Sequence, residues 1–317
     1  MINAFTVDVE DWFQVSAFER HIARDDWDRQ VVRVDTNMQR LLDLLDEFGV
    51  KATFFTLGWV AERHPGLVRR IVADGHELAS HGYDHTRVTD MNPAHFERDI
   101  TQAKRILEDA GGVAVRGYRA PTFSFRDDNR WVYDILANCG YAYSSSVAPV
   151  RHDLYGIPHA PRSPYRDASG IVEIPISTIR LGERNLPCSG GGFFRLYPYA
   201  FFRWCVQRVN TLDRQPCIFY MHPWEIDPAQ PRQTGIGIKT RLRHYMNLAK
   251  VEDRLRSLLR EPGSAPVVFG QGEWLFFTHA ARMRLAEGLP WLDQRQREAV
   301  RRLMRRWAEL SARAGLP

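Results

Sequence analysis

The sequence predicts an α/β fold in which short strands and amphipathic helices alternate around a mostly parallel sheet or barrel. Apolar runs typical of buried strands alternate with helical patterns from residue 2 to about residue 146. Hydrophobic residues make up 44% and charged residues 26% of the chain, as in a globular enzyme. The length of 317 residues, without an internal repeat, suits one barrel-like domain with an appendage.

The first part of the chain consists of strand and helix units in sequence. Strands are predicted at residues 2–8, 52–56, 76–79 and 117–119. Helices are predicted at about 36–48, 67–72, 94–107 and 130–138. For the first helix, Thr36 and Gln39 form a capping box, and Gly49 lies where the helix should stop.

The second part is less regular. Residues 147–200 are rich in proline and glycine, which predicts an elaborated loop region over one mouth of the barrel, with one strand at 171–176. Further strands are predicted at 217–221 and 265–269, and helices at 240–259 and 292–313. We therefore predict one catalytic domain over residues 1–280 and a C-terminal helical extension over residues 281–317.

Several classes of protein are disfavoured by composition. The net charge of +5 is mild, and a solvated helix face explains the terminal arginines better than a nucleic-acid interface. No apolar run is long enough for a membrane span, and residues 1–8 lack a secretory signal, so we expect a cytoplasmic protein. The four cysteines lack C-x-x-C spacing and are expected to be reduced. The terminal arginines are Arg295, Arg297, Arg301, Arg302, Arg305 and Arg306.

Polar side chains follow the predicted strands at the edge where parallel α/β folds carry their functional groups. His81 and His85 are the only histidines four residues apart, and two imidazoles with one carboxylate are a common ligand set for a catalytic divalent metal. Because side chains alternate along a strand, Asp8 and Glu10 share a face that Asp11 does not. The candidate residues are Asp8, Glu10, Asp11, His81, His85, Arg119 and His222.

Five segments resemble, in order, the motifs of the polysaccharide deacetylases with NodB homology, a group of distorted (β/α) barrel enzymes. These segments are 6–10, 53–55, 81–85, 119–121 and His222. The stretches DVEDWFQVSAF, SGGGFFRLYPY and FYMHPWEIDP are similar to the branch that accompanies exosortase-linked exopolysaccharide gene clusters. The resemblance covers about residues 1–280 and does not cover the predicted terminal helix.

This resemblance implies a hydrolase of non-peptide carbon–nitrogen bonds. Its substrate would be an amino-sugar polysaccharide or oligosaccharide that loses N-acetyl groups, as part of bacterial exopolysaccharide biosynthesis, with exopolysaccharide assembly proteins as partners. The resemblance also implies that Glu10, His81 and His85 bind one divalent ion, in the first place Zn²⁺, which supplies hydroxide near neutral pH.

The resemblance implies three catalytic residues. Asp8 would act as general base, kept ionised by Arg119, and His222 would protonate the departing amine. The backbone N–H of Thr122 would stabilise negative charge on the acetyl oxygen. The residues implied to contact substrate are Pro121, Thr122 and Trp224.

Two departures from the family pattern leave alternatives open. Val9 separates two acids that are commonly adjacent, so Asp11 could replace Glu10 as metal ligand. Residues 143–146 lack the aspartate of the fourth motif, so an acidic partner would come from elsewhere. A hydrolase of cyclic ureides or imides with the same fold, and a non-catalytic polysaccharide-assembly protein, are the rival hypotheses.

Overall fold

The computed structural model describes residues 2–152 and 155–260 and the backbone of 268–269. Strands occur throughout this range and most are short. They are β1 (Ile2–Val9), β2 (Thr53–Thr56), β3 (Glu77–Ser80), β4 (Gly117–Tyr118), β5 (Tyr143–Ser144), β6 (Tyr165–Arg166), β7 (Val172–Glu173), β8 (Thr178–Leu181), β9 (Arg184–Pro187), β10 (Ile218–Met221) and β11 (Val268–Phe269).

The α-helices connect most of these strands. They are α1 (Val34–Glu47), α2 (Gly58–Arg63), α3 (Pro65–Ala73), α4 (Pro93–Gly111), α5 (Val132–Asn138), α6 (Gly191–Leu196), α7 (Tyr199–Thr211), α8 (Ile238–Tyr245) and α9 (Val251–Arg260). Among the residues described, no helix combines the length and the apolar character needed to cross a membrane.

The main sheet has nine strands in the order β10-β1-β2-β3-β4-β5-β7-β6, and β11 also pairs with β1. All of these pairs are parallel except the one between β6 and β7. The sheet curves as a half-barrel with helices packed against it. Since neighbouring parallel strands end at the same edge, the residues that follow β1, β3, β4 and β10 come together there.

Strand β1 is central to the sheet, and its alternation decides which side chains reach the site. Phe5, Val7 and Val9 pack in the core that includes the apolar face of α1, whereas Ala4 belongs to a second cluster with residues of β2, β3 and β10. Side chains at even positions of β1 therefore face the inside of the half-barrel. Asp8 lies on this inward face.

The start of α1 differs from the prediction. The helix begins at Val34, so Thr36 lies inside its first turn and the predicted capping box is wrong. The side chain of Arg33, the N-cap residue, forms no capping hydrogen bond. Instead, the carboxylate of Asp11 accepts the backbone N–H groups of Arg33 at 2.7 Å and Val34 at 2.9 Å. A carboxylate distant in sequence thus performs the capping that the local pattern had suggested for Thr36.

The prediction of a single helix over residues 240–259 is also wrong, because the helical conformation is interrupted between α8 and α9. Asn247 adopts a left-handed backbone conformation with φ 55°. The carbonyl oxygens of His244 and Met246 accept hydrogen bonds from Arg195, at 2.7 Å and 3.2 Å. The buried guanidinium of Arg195 therefore donates hydrogen bonds to the carbonyl groups at the end of α8.

Residues 147–200 contain more structure than the predicted loop region with one strand. The described part holds β6, β7, α6 and a separate hairpin of β8 and β9, and α7 was not predicted. Segments of two to four residues are too short to show a helical or strand period. The predicted helix at 292–313, with its arginines, lies outside the described residues, and the domain boundary after residue 280 stays a prediction.

Candidate functional site

A buried cluster of Glu10, His81 and His85 lies at the carboxyl ends of β1 and β3. One potential ligand atom from each residue lies within 4.8 Å of the other two. His85 Nε2 is 2.9 Å from Glu10 Oε2, yet this buried oxygen accepts no hydrogen bond. A buried carboxylate oxygen without a donor is unfavourable, and a cation shared by the three atoms would compensate it. The donor set therefore fits a divalent metal ion.

The protonation states of His81 and Glu10 also suit metal binding. His81 Nδ1 lies 2.8 Å from the carbonyl oxygen of Arg119, so Nδ1 carries the proton and Nε2 keeps its lone pair. Burial lowers the pKa of His81 to about 4, so the ring is neutral at pH 7. Burial alone would raise the pKa of Glu10, but the His85 and His222 imidazoles lower it to about 2. Metal ligands require a neutral imidazole and an ionised carboxylate.

The loop that carries both histidines is held by α4. Its Gly82 has φ 76°, and a Cβ there would lie 2.9 Å from a carboxylate oxygen of Asp99. The same carboxylate accepts the backbone N–H of Tyr83, with both oxygens at 3.2 Å. His85 itself adopts φ 59°, a strained conformation for a residue with a side chain. The conformation of this loop thus depends on Gly82 and on Asp99, a buried acid of α4.

Asp8 and Arg119 form a buried ion pair beside the cluster. Arg119 Nη1 donates to Asp8 Oδ1 at 2.7 Å and to Thr6 Oγ1 at 2.8 Å. Its Nε and Nη2 donate to the carbonyl and hydroxyl oxygens of Ser145, at 3.1 Å and 2.9 Å. The second carboxylate oxygen of Asp8 lies 3.9 Å from Nε2 of His222. Arg119 therefore fixes one oxygen of Asp8 and leaves the other near the cluster.

Asp11 does not join the histidines. Besides capping α1, it accepts the backbone N–H of Trp12 at 2.8 Å. The structure thus places Glu10, and not Asp11, next to His81 and His85. This placement follows the strand alternation that put Asp8 and Glu10 on one face.

The capping role of Asp11 leads to a prediction about stability. We expect Asp11→Ala to lower the free energy of unfolding by about 2 kcal/mol, because helix caps contribute up to this amount. Chemical denaturation measures the change, and elemental analysis should show an unchanged metal content. Asp35→Ala removes an acid of the same helix whose side chain is 48% exposed, and should cost less than about 1 kcal/mol. Loss of metal from the Asp11 variant would contradict the assignment.

A strained turn follows β4 and Arg119. It is a short 3-10 helix, Pro121–Phe123, in which Thr122 has φ 56° and Phe123 has φ 50°. The left-handed conformation is costly for a β-branched threonine, and such strain is common at functional sites. The Thr122 hydroxyl is held at 2.6 Å from that of Ser16. Pro121 is buried, and the contribution of Thr122 to an oxyanion site stays a prediction.

Comparison with known families places these residues in context. Residues 25–144 match the family Polysaccharide deacetylase, and residues 145–267 match a Domain of unknown function (DUF3473). Residues 25–144 therefore carry the polysaccharide deacetylase domain. The first match includes His81, His85 and Arg119, and the second includes His222. Asp8 and Glu10 precede both matches, although they lie in the same site as the deacetylase histidines.

Curated relatives align with only part of this chain. The Chitooligosaccharide deacetylase of Sinorhizobium fredii is 40% identical over 103 residues, which are 32% of this chain and 46% of the relative. The Peptidoglycan-N-acetylglucosamine deacetylase of Bacillus cereus is 37% identical over 82 residues, which are 26% of this chain and 30% of the relative. The aligned part thus spans less than half the length of either relative.

A solved structure supports the fold. It belongs to a Mycobacterium smegmatis protein provisionally named a polysaccharide deacetylase, with a TM-score of 0.57 and 21% identity. The match covers 89% of this chain and 91% of that chain. The predicted fold class, a distorted (β/α) barrel of the polysaccharide deacetylase type, is therefore confirmed.

The acidic partner of His222 was missed from the sequence. Glu225 Oε2 lies 3.2 Å from Nδ1 of His222 and 3.0 Å from its backbone nitrogen. Arg195 Nε donates to Glu225 Oε1 at 2.8 Å, and both of these side chains are buried. Burial would lower the pKa of His222, but Glu10, Glu225 and Asp8 raise it to about 9. Glu225 thus supplies the acid that residues 143–146 lack.

A local sequence signal for this arrangement does exist. Glu225 follows His222 by three residues, and the 3-10 helix Pro223–Ile226 turns it back onto the histidine. A Cβ at Gly191 would lie 1.9 Å from Glu225 Oε2, so α6 can approach only because glycine is present there. The stretch SGGGFFR therefore brings Arg195 to Glu225. The glycines at the start of α6, the helix that carries Arg195, were the sequence signal that could have indicated this contact.

Trp224 is largely covered by its neighbours, and its contact with substrate stays a prediction. The residue is 5% exposed, and its ring stacks against the rings of His222 and His244, with centroids 5.1 Å and 4.2 Å apart. Its indole Nε1 donates to Glu10 Oε1 at 3.2 Å. Trp224 therefore contacts both Glu10 and His222, and packing covers most of its surface.

Proposed function

We propose that this protein is a metal-dependent hydrolase that removes N-acetyl groups from amino sugars of a bacterial polysaccharide. The proposal rests on one observation. Asp8 and His222, two candidate proton-transfer groups, lie beside the cluster of candidate metal ligands. His222 Nε2 lies 3.9 Å from Asp8 Oδ2 and 3.7 Å from Glu10 Oε1. The names of the curated relatives, which are deacetylases of chitooligosaccharide and peptidoglycan, support the substrate class.

The proposed reaction adds water to the acetyl carbonyl carbon and breaks the carbon–nitrogen bond. A divalent ion held by Glu10, His81 and His85 would supply Lewis acidity and lower the pKa of water. Asp8 accepts the proton of the attacking water through Oδ2, because Arg119 occupies Oδ1. The products are acetate and the free amine of the sugar.

The leaving amine needs a proton, and His222 is placed to give it. Its Nδ1 is bonded to Glu225, which leaves the Nε2 proton for transfer to the amine nitrogen. The charge of Glu225 and the raised pKa of about 9 keep His222 protonated at neutral pH. The side chain is 21% exposed, so it can reach a substrate from within the site.

Finer aspects of the function belong to the same proposal. Two imidazoles and one carboxylate with open positions are the ligand set of many catalytic zinc sites, so we propose Zn²⁺ as the resident ion. The similarity of three stretches to the exosortase-linked branch supports a role in exopolysaccharide biosynthesis with assembly proteins as partners. A cytoplasmic location is proposed with it, and fractionation of the producing cell tests that location.

Acetate release tests the proposed function directly. The purified protein should release acetate from N-acetylglucosamine oligomers, lose activity after chelation and regain it with Zn²⁺. Elemental analysis should give about one zinc per chain. Ring opening of a cyclic ureide without acetate release would instead support the rival C–N hydrolase. Absence of both reactions in metal-loaded protein would support a non-catalytic assembly protein.

We predict that Glu225→Gln lowers the pKa of His222, because a negative charge bonded to the imidazolium is removed. A histidine with a raised pKa is protonated below that pKa and loses its proton as the pH rises. The alkaline limb of the rate profile should therefore move to lower pH, with the acid limb unchanged. The pH profile of kcat measures this shift. Glu252→Gln, which removes the charge of a half-buried glutamate of α9 that pairs with Arg40, is the matched control. An unmoved alkaline limb would contradict the pairing.

A further inference from the structure

The turn that follows Pro121 contains two consecutive residues with a left-handed backbone conformation, Thr122 at φ 56° and Phe123 at φ 50°. A side chain disfavours this conformation, most of all when it branches at Cβ as in threonine. Such a conformation persists only where contacts in the folded chain hold it. The direction of the Thr122 backbone N–H therefore depends on the contacts that this turn makes.

Each residue of the turn has a different contact. Phe123 packs in a small apolar cluster and is 5% exposed. The hydroxyl of Ser124 accepts the backbone N–H of Val88 at 3.0 Å. Among the residues that the structure describes, the Thr122 side chain makes one hydrogen bond, to the hydroxyl of Ser16 at 2.6 Å. The strained residue is thus held through its side chain by Ser16.

Ser16 can hold Thr122 because the chain around it is fixed. It lies in the segment between β1 and α1, and its neighbours Val15 and Phe18 are buried in the main apolar core. The backbone N–H of Phe18 donates to the carbonyl oxygen of Val15 at 2.9 Å, which closes a turn around Ser16. The Ser16 hydroxyl is therefore presented from a rigid part of the chain.

A second contact joins the same segment to the turn through the residues after β3. Arg87 Nη2 donates to the carboxylate of Glu19 at 2.8 Å, and the next residue, Val88, is the one that donates to Ser124. Together with the hydroxyl pair, these contacts join three chain segments in a closed ring. Ser16 and Glu19 precede residue 25, where the match to the deacetylase family begins. This ring therefore uses a part of the chain that lies outside the family match.

We propose that Ser16 is a positioning residue, which holds Thr122 in the left-handed conformation and so directs its backbone N–H at the acetyl oxygen. The inference rests on the proposed function, and it gives the predicted oxyanion donor a defined support. Ser16 acts through Thr122 and not on the substrate. A donor that is misaligned in the transition state stabilises the developing charge less, so the loss falls on kcat and not on KM.

A double-mutant cycle on the hydroxyl pair tests this role. Ser16→Ala and Thr122→Val each remove one hydroxyl, and the second change keeps the branched shape of the side chain. Ser257→Ala is the matched control, since its hydroxyl makes one hydrogen bond, to the carbonyl oxygen of Asp253 on the exposed face of α9. Metal content and melting temperature are measured for every variant.

Acetate release from N-acetylglucosamine oligomers gives kcat and KM for the cycle. We expect Ser16→Ala to lower kcat about tenfold, less than the hundredfold or more that follows loss of an oxyanion donor, with KM unchanged. The double variant should lose no more than the single variants, because the same contact is removed in all three. An unchanged kcat in Ser16→Ala, a loss confined to KM, or additive losses in the double variant overturns the positioning role.

Crystal structures of the wild type and of Ser16→Ala give the φ angle of Thr122 independently of activity. We expect Thr122 to leave the left-handed region, or to lose its order, when the hydroxyl of Ser16 is removed. A Thr122 that keeps its φ near 56° in the variant overturns the inference. If the conformation changes but the wild type releases no acetate, the proposed function fails, and Ser16 remains the residue that holds Thr122.

Discussion

Asp8→Asn and His222→Ala should each retain the metal while losing about a hundredfold to ten-thousandfold in kcat. General acid and base groups contribute this range, and neither residue belongs to the Glu10, His81 and His85 cluster. Asp8→Asn keeps the size of the side chain and an oxygen for Arg119, but a neutral amide cannot accept the proton of water. Elemental analysis and acetate-release kinetics on the same preparations measure the two properties.

The pH dependence separates the two residues. Activity of the wild type should be bell-shaped, because the base must be ionised and the acid protonated. His222→Ala should remove the alkaline limb, whereas Asp8→Asn should leave it in place. His76→Ala is the control, since this buried histidine bonds the backbone of Ala52 at the opposite end of the sheet. Metal loss in the Asp8 variant, or a persistent alkaline limb without His222, would show that the roles are wrongly assigned.

Removal of a cluster ligand should have the second large effect. We expect Glu10→Gln and His81→Ala each to weaken metal binding by at least about a hundredfold, because even the partners that orient ligands contribute ten- to a hundredfold. Activity should fall in parallel at limiting metal and recover in part at high metal. Metal titration with a competing chelator gives the affinity.

A stability measurement provides an independent readout of the same variants. Metal that binds only the folded protein raises its melting temperature, so chelation should lower the melting temperature of the wild type. The Glu10 and His81 variants should melt at nearly the same temperature with and without chelator. Asp11→Ala should respond to chelation as the wild type does. A chelator effect that persists in the cluster variants would place the metal elsewhere.

Much of the fold was predictable because hydrophobic residues recur with a clear period along its strands and helices. The predicted strand at 2–8 is β1, and the predicted helix at 94–107 lies within α4. The site edge followed from parallel topology, and the alternation of β1 put Asp8 and Glu10 on one face. Long, regular segments therefore carried the fold class and the grouping of the candidate residues.

The remainder depended on contacts between distant residues. Asp11 caps α1 from 23 positions away, measured to Val34, and no local pattern could compete with it. Arg195 interrupts the helical pattern at residues 240–259 because it takes two carbonyl groups there. Glu225 was passed over since the acid was expected near residue 144. These are tertiary effects, which override local propensity without leaving a period in the sequence.

The position of β1 between β2 and β10 has a consequence for synthesis on the ribosome. Trp224 and Glu10 are 214 residues apart, so translation at about 5–20 residues per second separates their appearance by roughly 10–40 s. During that interval β1 can pair with β2, β2 with β3 and β3 with β4, and the three cluster residues and Arg119 can come together. His222 and its partners arrive later with β10. The nascent chain therefore has the proposed metal ligands before it has His222, the proposed acid for the leaving amine.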